Sequence, residues 1–466
     1  MLGGLGTFMF TCLVGLFVGI VAVSNPELRP PPLVNGSPGE PGTGPPPTQE
    51  SRIPTGITVV EARQLVNTQP DDPLAHFALG LALLENGERL LAQAALNRGV
   101  ELAEDAPTQI ADAARLADEM LKPQAAQFDA SHAHPAEACA ALGELGFMGI
   151  AVPEQYGGAG LDYVSYVVGL SEISRGDASV GVIMSVNNSL YCFPVLTFGT
   201  EEQKRAFLTP VASGQKIGCF GLTEAGAGSD PGAMRTTAVL DGDEWVLNGE
   251  KKFITNGNVA SYGVIAAVTD KAAGSKGISC FIVDFENTKG FSVGRVEEKM
   301  GICASGTSEL VFEDARIPKA NILGTPGSGL KQMLTTLDSG RIGIGSQALG
   351  IGRAVLEESL EYASTREQFG KPIATFQAIQ WKLADMAAAL DAAELLLLRA
   401  AWMEDQHMHF EKQAAMAKMF ASDAAMAAAI EGVQILGGYG YCREYPMERH
   451  MRDAKITQIY EGTNEI

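Results

Sequence analysis

Two long stretches near the end of the chain, DMAAALDAAELLLLRAAWM and KQAAMAKMFASDAAMAAAIEGVQILGG, are built largely from Ala, Leu and Met and contain few breakers. That composition favours helix. A helix apolar around most of its girth cannot present a broad side to water. These segments must therefore pack on several sides, against one another in a bundle or against a second subunit. The chain has 466 residues, 46% of them hydrophobic. That is enough for a large core and for roughly two to four domains.

Ahead of this bundle the pattern changes twice. Residues 111–218 read as a helical domain: DAARLADEMLKPQAAQF has helical spacing, and HPAEACAALGELGFMGI opens on Pro and closes on Gly. Residues 219–325 read as a middle β domain, from short runs rich in Val, Ile and Phe such as YGVIAAV and ISCFIVDF. Asn248-Gly249 and Asn256-Gly257 are expected to mark turns between these strands. Residues 326–466 form the C-terminal helical domain. The expected fold class is multidomain α and β: a helical domain, a central β-barrel and a C-terminal helical bundle.

The first 110 residues differ in kind. Residues 1–24 carry no charged side chain, and Phe8–Val23 is strongly apolar. As a helix the run reaches across roughly 30 Å of hydrocarbon, and it lacks the basic start and small-residue end of a secretory leader. It reads as a transmembrane anchor of weakly specified orientation. Residues 25–56 are rich in Pro, Gly and Ser and read as a disordered linker. Residues 57–110 read as a helical hairpin in which Leu79, Gly80, Leu83, Gly87, Ala92 and Leu96 resemble one tetratricopeptide repeat. A single repeat cannot bury its own face, so it needs a partner. No lysine precedes Lys122. This suggests two segments of different origin joined near 107–114, naturally or otherwise.

Several chemistries lack support. The formal net charge of −21 disfavours nucleic acid and acidic surfaces, so an anionic ligand would need a local basic or helix-terminus site. Seven scattered cysteines form no CxxC pair, which argues against a disulfide framework or zinc site and fits a reducing compartment. There is no HExxH and no G-x-S-x-G, so no metal centre is expected and serine hydrolysis has little basis.

Seven segments, in order, carry a resemblance: LGELGFMGIAVPEQYGGAG, CFGLTEAGAGSDPGAM, LNGEKKFITNG, LDSGRIGIGSQALGIG, STREQFGKPIATFQAIQWKLADM, QILGGYGY and RDAKITQIYEGTNEI. Together they resemble the acyl-CoA dehydrogenase family, and within it the short-chain (butyryl-CoA) branch, from about residue 114 to residue 466. The resemblance implies an oxidoreductase that uses FAD to convert an acyl-CoA to its 2,3-enoyl-CoA. It implies that the loop Phe220–Ser229 meets the flavin, through Phe220, Leu222, Thr223 and Ser229, while Phe253 and Thr255 lie behind the ring. The family often has Trp where this chain has Phe253. Arg366, Gln377, Gln434, Gly437 and Gly438 resemble positions that hold the adenine and pyrophosphate of a neighbouring subunit's cofactor. Thr463, Asn464 and Glu465 match a third contact segment.

The same resemblance makes Glu461 the base that removes the proton α to the thioester, with Gly462 letting the backbone pass the acyl chain. Burial under substrate should raise its pKa. The isovaleryl and long-chain branches carry their base in a D-x-E-R-like stretch; here that stretch is LDSGR, with Gly340 at the acidic position. Ser229, Asp338 and Arg341 resemble contacts to the CoA portion. Implied partners are the acyl-CoA, electron-transferring flavoprotein as electron acceptor, further copies of the chain in a tetramer, and a membrane through residues 1–24, with the enzymatic part in a reducing cytoplasmic compartment. Where this sequence stops, five residues past Glu461, the family continues with another helix, whose loss is expected to expose apolar surface at about 25 cal/mol per Å². The alternative is a membrane-anchored helical-repeat adaptor carrying an inactive dehydrogenase remnant.

Overall fold

The computed structural model describes residues 108–466. The expected anchor (1–24), linker (25–56) and repeat-like hairpin (57–110) lie outside the described residues, apart from the last three positions of the hairpin.

The first layer is helical. Helix α1 (Thr108–Leu116) runs through one wide π turn into α2 (Lys122–Ser131), and α3 (Ala136–Glu144) follows. Helices α4 (Tyr163–Gly176) and α5 (Ala178–Ser185) each begin on an aspartate. The Asp162 carboxylate accepts from Ser165 N–H at 2.7 Å, and Asp177 from Val180 N–H at 2.9 Å. Each cap satisfies one of the four amides that a helix start leaves unpaired. A seven-residue π turn, Val186–Cys192, carries α5 on into α6 (Phe193–Phe198).

Two buried asparagines anchor this π turn. Asn188 accepts from Ile150 N–H at 2.9 Å and donates to the carbonyls of Phe147 and Met184 at 2.8 and 2.9 Å. Asn187 donates to Met148 O at 2.7 Å and accepts from Gly218 N–H at 2.9 Å. The second contact ties the helical layer to the first strand.

The middle region is an eight-stranded sheet: β1 (Gly218–Gly221), β2 (Thr237–Asp241), β3 (Glu244–Thr255), β4 (Tyr262–Val268), β5 (Ile278–Asp284), β6 (Phe291–Val296), β7 (Thr307–Pro318) and β8 (Ile322–Leu323). The hydrogen-bonded order is β6-β7-β3-β2-β4-β5-β8, with β1 parallel to β4. The sequence led us to expect a barrel; among the described residues the ladder is open, with no pairing of β6 to β8. Alternation explains why β4 and β5 read as unbroken apolar runs. Ile265, Ala267, Phe281 and Val283 enter the core of the sheet itself, while Val264, Ala266, Cys280 and Ile282 pack in the core shared with the helices.

One turn expectation fails. Asn248-Gly249 lies inside β3, at a register shift against β7, and the hairpin turns instead at Gly242. The backbone of Thr236 approaches so closely that a Cβ on Gly249 would sit 2.7 Å from its Cα, and Gly249 adopts φ 143°. The glycine is needed for this close approach within a bulge.

The third region holds α7 (Gly329–Thr365), α8 (Gln377–Asp405), α9 (Glu411–Leu436) and α10 (Met447–Thr457). Ala414, Ala417, Ala421 and Ala425 form one buried face of α9 at helical spacing. They pack with Leu390, Ala393 and Leu397 of α8 and with Ile342, Ala348 and Leu349 of α7. The opposite faces of α8 and α9 leave Leu395, Met416, Met419, Phe420 and Ile430 exposed.

Candidate active site

The segment after α10 turns back across α7 and α9. It is closed by Asn464 N–H donating to Gln458 O at 3.1 Å. At its crest Glu461 has φ 51°, a left-handed conformation that a branched or long side chain rarely adopts, and Gly462 follows at φ 100°. This twist directs the Glu461 carboxylate onto α7 at Gly340. A Cβ on Gly340 would collide with Glu461 Oε2 and would approach Leu190 Cδ2 to 2.9 Å. The carboxylate therefore fills the space a side chain at position 340 would need. One turn further along α7, a Cβ on Gly343 would meet Tyr166 Oη at 2.6 Å.

The surroundings set the electrostatics of Glu461. Its Oε2 is buried without a hydrogen-bond partner among the described residues. Burial pushes the carboxyl up to about 8, against the pull of two cations, Lys418 and Arg341. Arg341 forms an ion pair with Asp338 at 2.6 Å, one turn earlier on α7, and its guanidinium lies within 3.5 Å of where a Cβ on Gly462 would stand. Asp338 is itself raised by burial, with Arg341 opposing. A buried carboxyl titrating near neutrality, with one free lone-pair face, is equipped to take a proton from carbon.

Tyr163, Tyr166, Asn188, Ser189, Phe193 and Leu196 border a cavity of about 20 Å³. Tyr166 therefore links this cavity to the face of α7 on which Glu461 sits.

A second group of expected residues gathers on the β domain. Phe220 and Leu222 are buried at the end of β1, Thr223 is half-buried and Ser229 is exposed. The loop between them is shaped by an internal ion pair. The Glu224 carboxylate accepts from Lys251 Nζ at 2.7 Å and from the amides of Arg235 and Thr236 at 2.6 and 3.0 Å. Burial opposes its charge, but Lys251 and these donors hold its carboxyl below the ordinary range. The loop thus presents backbone outward: a Cβ on Gly226 or Gly228 would meet nothing within 4 Å. On β3 the Phe253 ring is 64% exposed and its backbone is left-handed, at φ 59°. Thr255, two residues on, is half-buried. An open glycine loop beside an exposed aromatic wall fits a planar tricyclic ring with polar edges.

A third group is exposed at the far end of the helical bundle. The Arg366 guanidinium lies 5.6 Å from the Tyr439 ring centroid, which brings it beside Gln434, Gly437 and Gly438. Gln377 starts α8 just past the hairpin that follows Arg366. No hydrogen bond or ion pair among the described residues joins this group to the β-domain loop. Thr463 and Glu465 bond to each other at the edge of the Glu461 segment.

Sequence profiles for the N-terminal, middle and C-terminal domains of acyl-CoA dehydrogenase match residues 104–215, 219–315 and 327–466. The chain is 53% identical over 369 residues to the human mitochondrial short-chain specific acyl-CoA dehydrogenase, covering 79% of this chain and 89% of that one. This chain belongs to the acyl-CoA dehydrogenase family. Among solved structures, butyryl-CoA dehydrogenase from Megasphaera elsdenii superposes with a TM-score of 0.75 at 45% identity, covering 78% of this chain and 96% of that one. A chain in a structure described as the electron transferring flavoprotein of Acidaminococcus fermentans gives 0.76 at 48% identity, covering 77% of this chain and 94% of that one.

Three features of this dehydrogenase escaped the sequence reading. Lys418, buried in α9, donates to Gly462 O at 2.6 Å and Asn464 Oδ1 at 3.0 Å. Glu404, buried at the end of α8, is pushed up to about 8 by burial. The Glu224–Lys251 pair lies under the glycine loop. For Lys418 the available signal was a cation set in an apolar helix; Glu404 stands beside Asp405, and Lys251 between Glu250 and Lys252, so their sequence neighbours gave none.

Proposed function

We propose that this dehydrogenase oxidises short-chain acyl-CoA thioesters to 2,3-enoyl-CoA, with Glu461 as the base that takes the proton from C2. The single observation that carries this reading is the Glu461 carboxylate. The residue is half-buried, but its Oε2 is buried without a partner; the carboxyl is raised to about 8 and set in the space left by Gly340. FAD, when bound, supplies the acceptor for the hydride from C3. Phe220, Leu222, Thr223, Ser229, Phe253 and Thr255 would hold its ring end, and Arg366, Gln377, Gln434, Gly437 and Gly438 the diphosphate end of a cofactor in a neighbouring copy. Thr463 and Glu465 would border it. Arg341 suits a CoA phosphate, because its planar fork pairs with phosphate oxygens, and Asp338 orients it. Ser229 would add a hydroxyl to the CoA path, and Gly462 leaves the acyl chain room. The proton held by Glu461 after the reaction is stabilised by the same burial that raised its pKa, so the base stays uncharged until product leaves.

The small cavity bounded by Tyr166 and Leu196 supports a preference for short acyl groups. The exposed apolar faces of α8 and α9 support self-association as a tetramer, and the likeness to the Acidaminococcus chain supports electron-transferring flavoprotein as acceptor. The domain limits 111–218, 219–325 and 326–466 belong to the same reading. The uncharged run 1–24 supports a membrane tether; extraction by detergent but not by salt would establish it. The primary test is the absorption spectrum of the FAD-loaded protein with and without butyryl-CoA. Loss of the oxidised flavin band on adding substrate supports the function, and an unchanged spectrum refutes it. A turnover maximum at acyl chains of twelve carbons or more would reject the short-chain assignment.

A further inference from the structure

Glu461 stands in an unfavourable backbone conformation, and something must hold it there. The fastening lies on α9. Lys418 is 3% exposed in the middle of an Ala- and Met-rich helix, and its ammonium donates to Gly462 O at 2.6 Å and to Asn464 Oδ1 at 3.0 Å. Asn464 in turn donates through Nδ2 to Ser422 Oγ at 2.8 Å and to Asp423 Oδ1 at 2.9 Å, and Gln458 Nε2 reaches the same Asp423 oxygen at 2.6 Å. Residues 418 and 422 share one face of α9, with Asp423 at its exposed edge. The segment 458–464 is thus closed on itself and pinned to α9 on both sides of Glu461.

We infer that Lys418 is a positioning residue for the reaction: it fixes the loop that seats the Glu461 carboxylate in the Gly340 notch, and its cation favours the charged, base-competent form. The inference rests on the reading of Glu461 as the base. A buried ammonium is costly to keep. Two hydrogen bonds to loop acceptors and a neighbouring carboxylate offset part of that cost. The charged groups that face Lys418 are Glu461 and Glu465 from the loop, Arg341 from α7 and Asp423 from α9. Arg341 is tied to Asp338 by its own ion pair, and Lys455 reaches the segment only at its start, through Gln458 Oε1 at 2.9 Å, which leaves Lys418 as the cation bonded to the residues just past Glu461.

The test compares Lys418→Met, Lys418→Arg and Asn464→Ala as full-length FAD-loaded proteins, with Glu461→Gln as reference. The first readout is backbone hydrogen–deuterium exchange of the peptide covering 458–466, which requires no turnover. Lys418→Met should speed this exchange by at least about tenfold, the effect of roughly 1.4 kcal/mol. It should also move the pH midpoint of flavin reduction by butyryl-CoA upward by about one pH unit and lower kcat by about tenfold or more, with KM changed less than about threefold. Lys418→Arg keeps the cation and should return the midpoint towards wild type. Asn464→Ala loosens the same peptide while leaving the ammonium, so exchange should rise with the midpoint unmoved. Wild-type exchange and midpoint in folded Lys418→Met would overturn the inference. If that variant does not fold, unchanged exchange in Asn464→Ala overturns the pinning. Retained C2-proton removal by Glu461→Gln would defeat the base assignment separately, whatever the exchange data show.

Discussion

Replacing Glu461 by Gln should stabilise the protein, and the size of the effect should depend on pH. The carboxyl is raised from an ordinary 4.5 to about 8 because burial penalises its charge. Between those two values the folded state binds the proton and the unfolded state does not. Stability therefore falls as pH rises through this window, and the loss is complete above about 8. At about 1.4 kcal/mol per pH unit the full cost approaches 5 kcal/mol, an upper bound because solvent reaches part of the group. Glutamine keeps the shape and removes the charge. Wild type and Glu461→Gln should thus melt together near pH 5 and diverge towards pH 8, the variant becoming more stable by a few degrees, at roughly 2–4 °C per kcal/mol or less for a chain this long. Lys418, lowered to about 8 by burial, contributes the opposite slope above that pH, so the comparison belongs between pH 5 and 8. The assay is thermal melting of both proteins across that range in the same FAD-loaded state. Parallel curves would show that the carboxyl carries no burial cost and would refute the electrostatic basis of the base assignment.

Gly340→Ala should slow flavin reduction by about a hundredfold, the scale of an ångström-level misplacement of a catalytic group. It should alter the melting temperature little, because the atoms it displaces are the ends of the Glu461 and Leu190 side chains; stopped-flow reduction and melting, measured together, check both halves. Lys251→Met should cost about 3–5 kcal/mol in denaturant unfolding by leaving the Glu224 carboxylate buried with only the Arg235 and Thr236 amides to offset its charge. Adding Glu224→Gln should recover more than half of that loss, and no recovery would show that the pair is not the cause.

Much of the architecture was legible because the hydrophobic period changes along the chain. The Ala/Leu/Met runs became α8 and α9, and the Val/Ile/Phe runs became β4 and β5. Asn248-Gly249 misled because a glycine that signals a turn locally was required by Thr236, a partner brought up by tertiary packing. At the candidate site, Glu461 was legible as a proposed base from its motif. The meaning of Gly340 was only half legible: the missing carboxylate at that position could be read, but that its absence makes room for Glu461 follows from the crossing of two segments 121 residues apart. Lys418 gave no sequence signal beyond being a cation in an apolar helix, since its bonding partners lie 44 and 46 residues downstream. Arg366, Gln434 and Gly438 were legible through the family resemblance alone, because each is exposed in a single copy and would look like an ordinary surface residue.

The most direct measurement mixes butyryl-CoA anaerobically with FAD-loaded wild type and Glu461→Gln while following the flavin band and deuterium entry at C2. Wild type should bleach and exchange. The variant should remain yellow and bind the thioester but show neither bleaching nor exchange. Bleaching of the glutamine variant at a rate near that of wild type would mean that another group removes the proton.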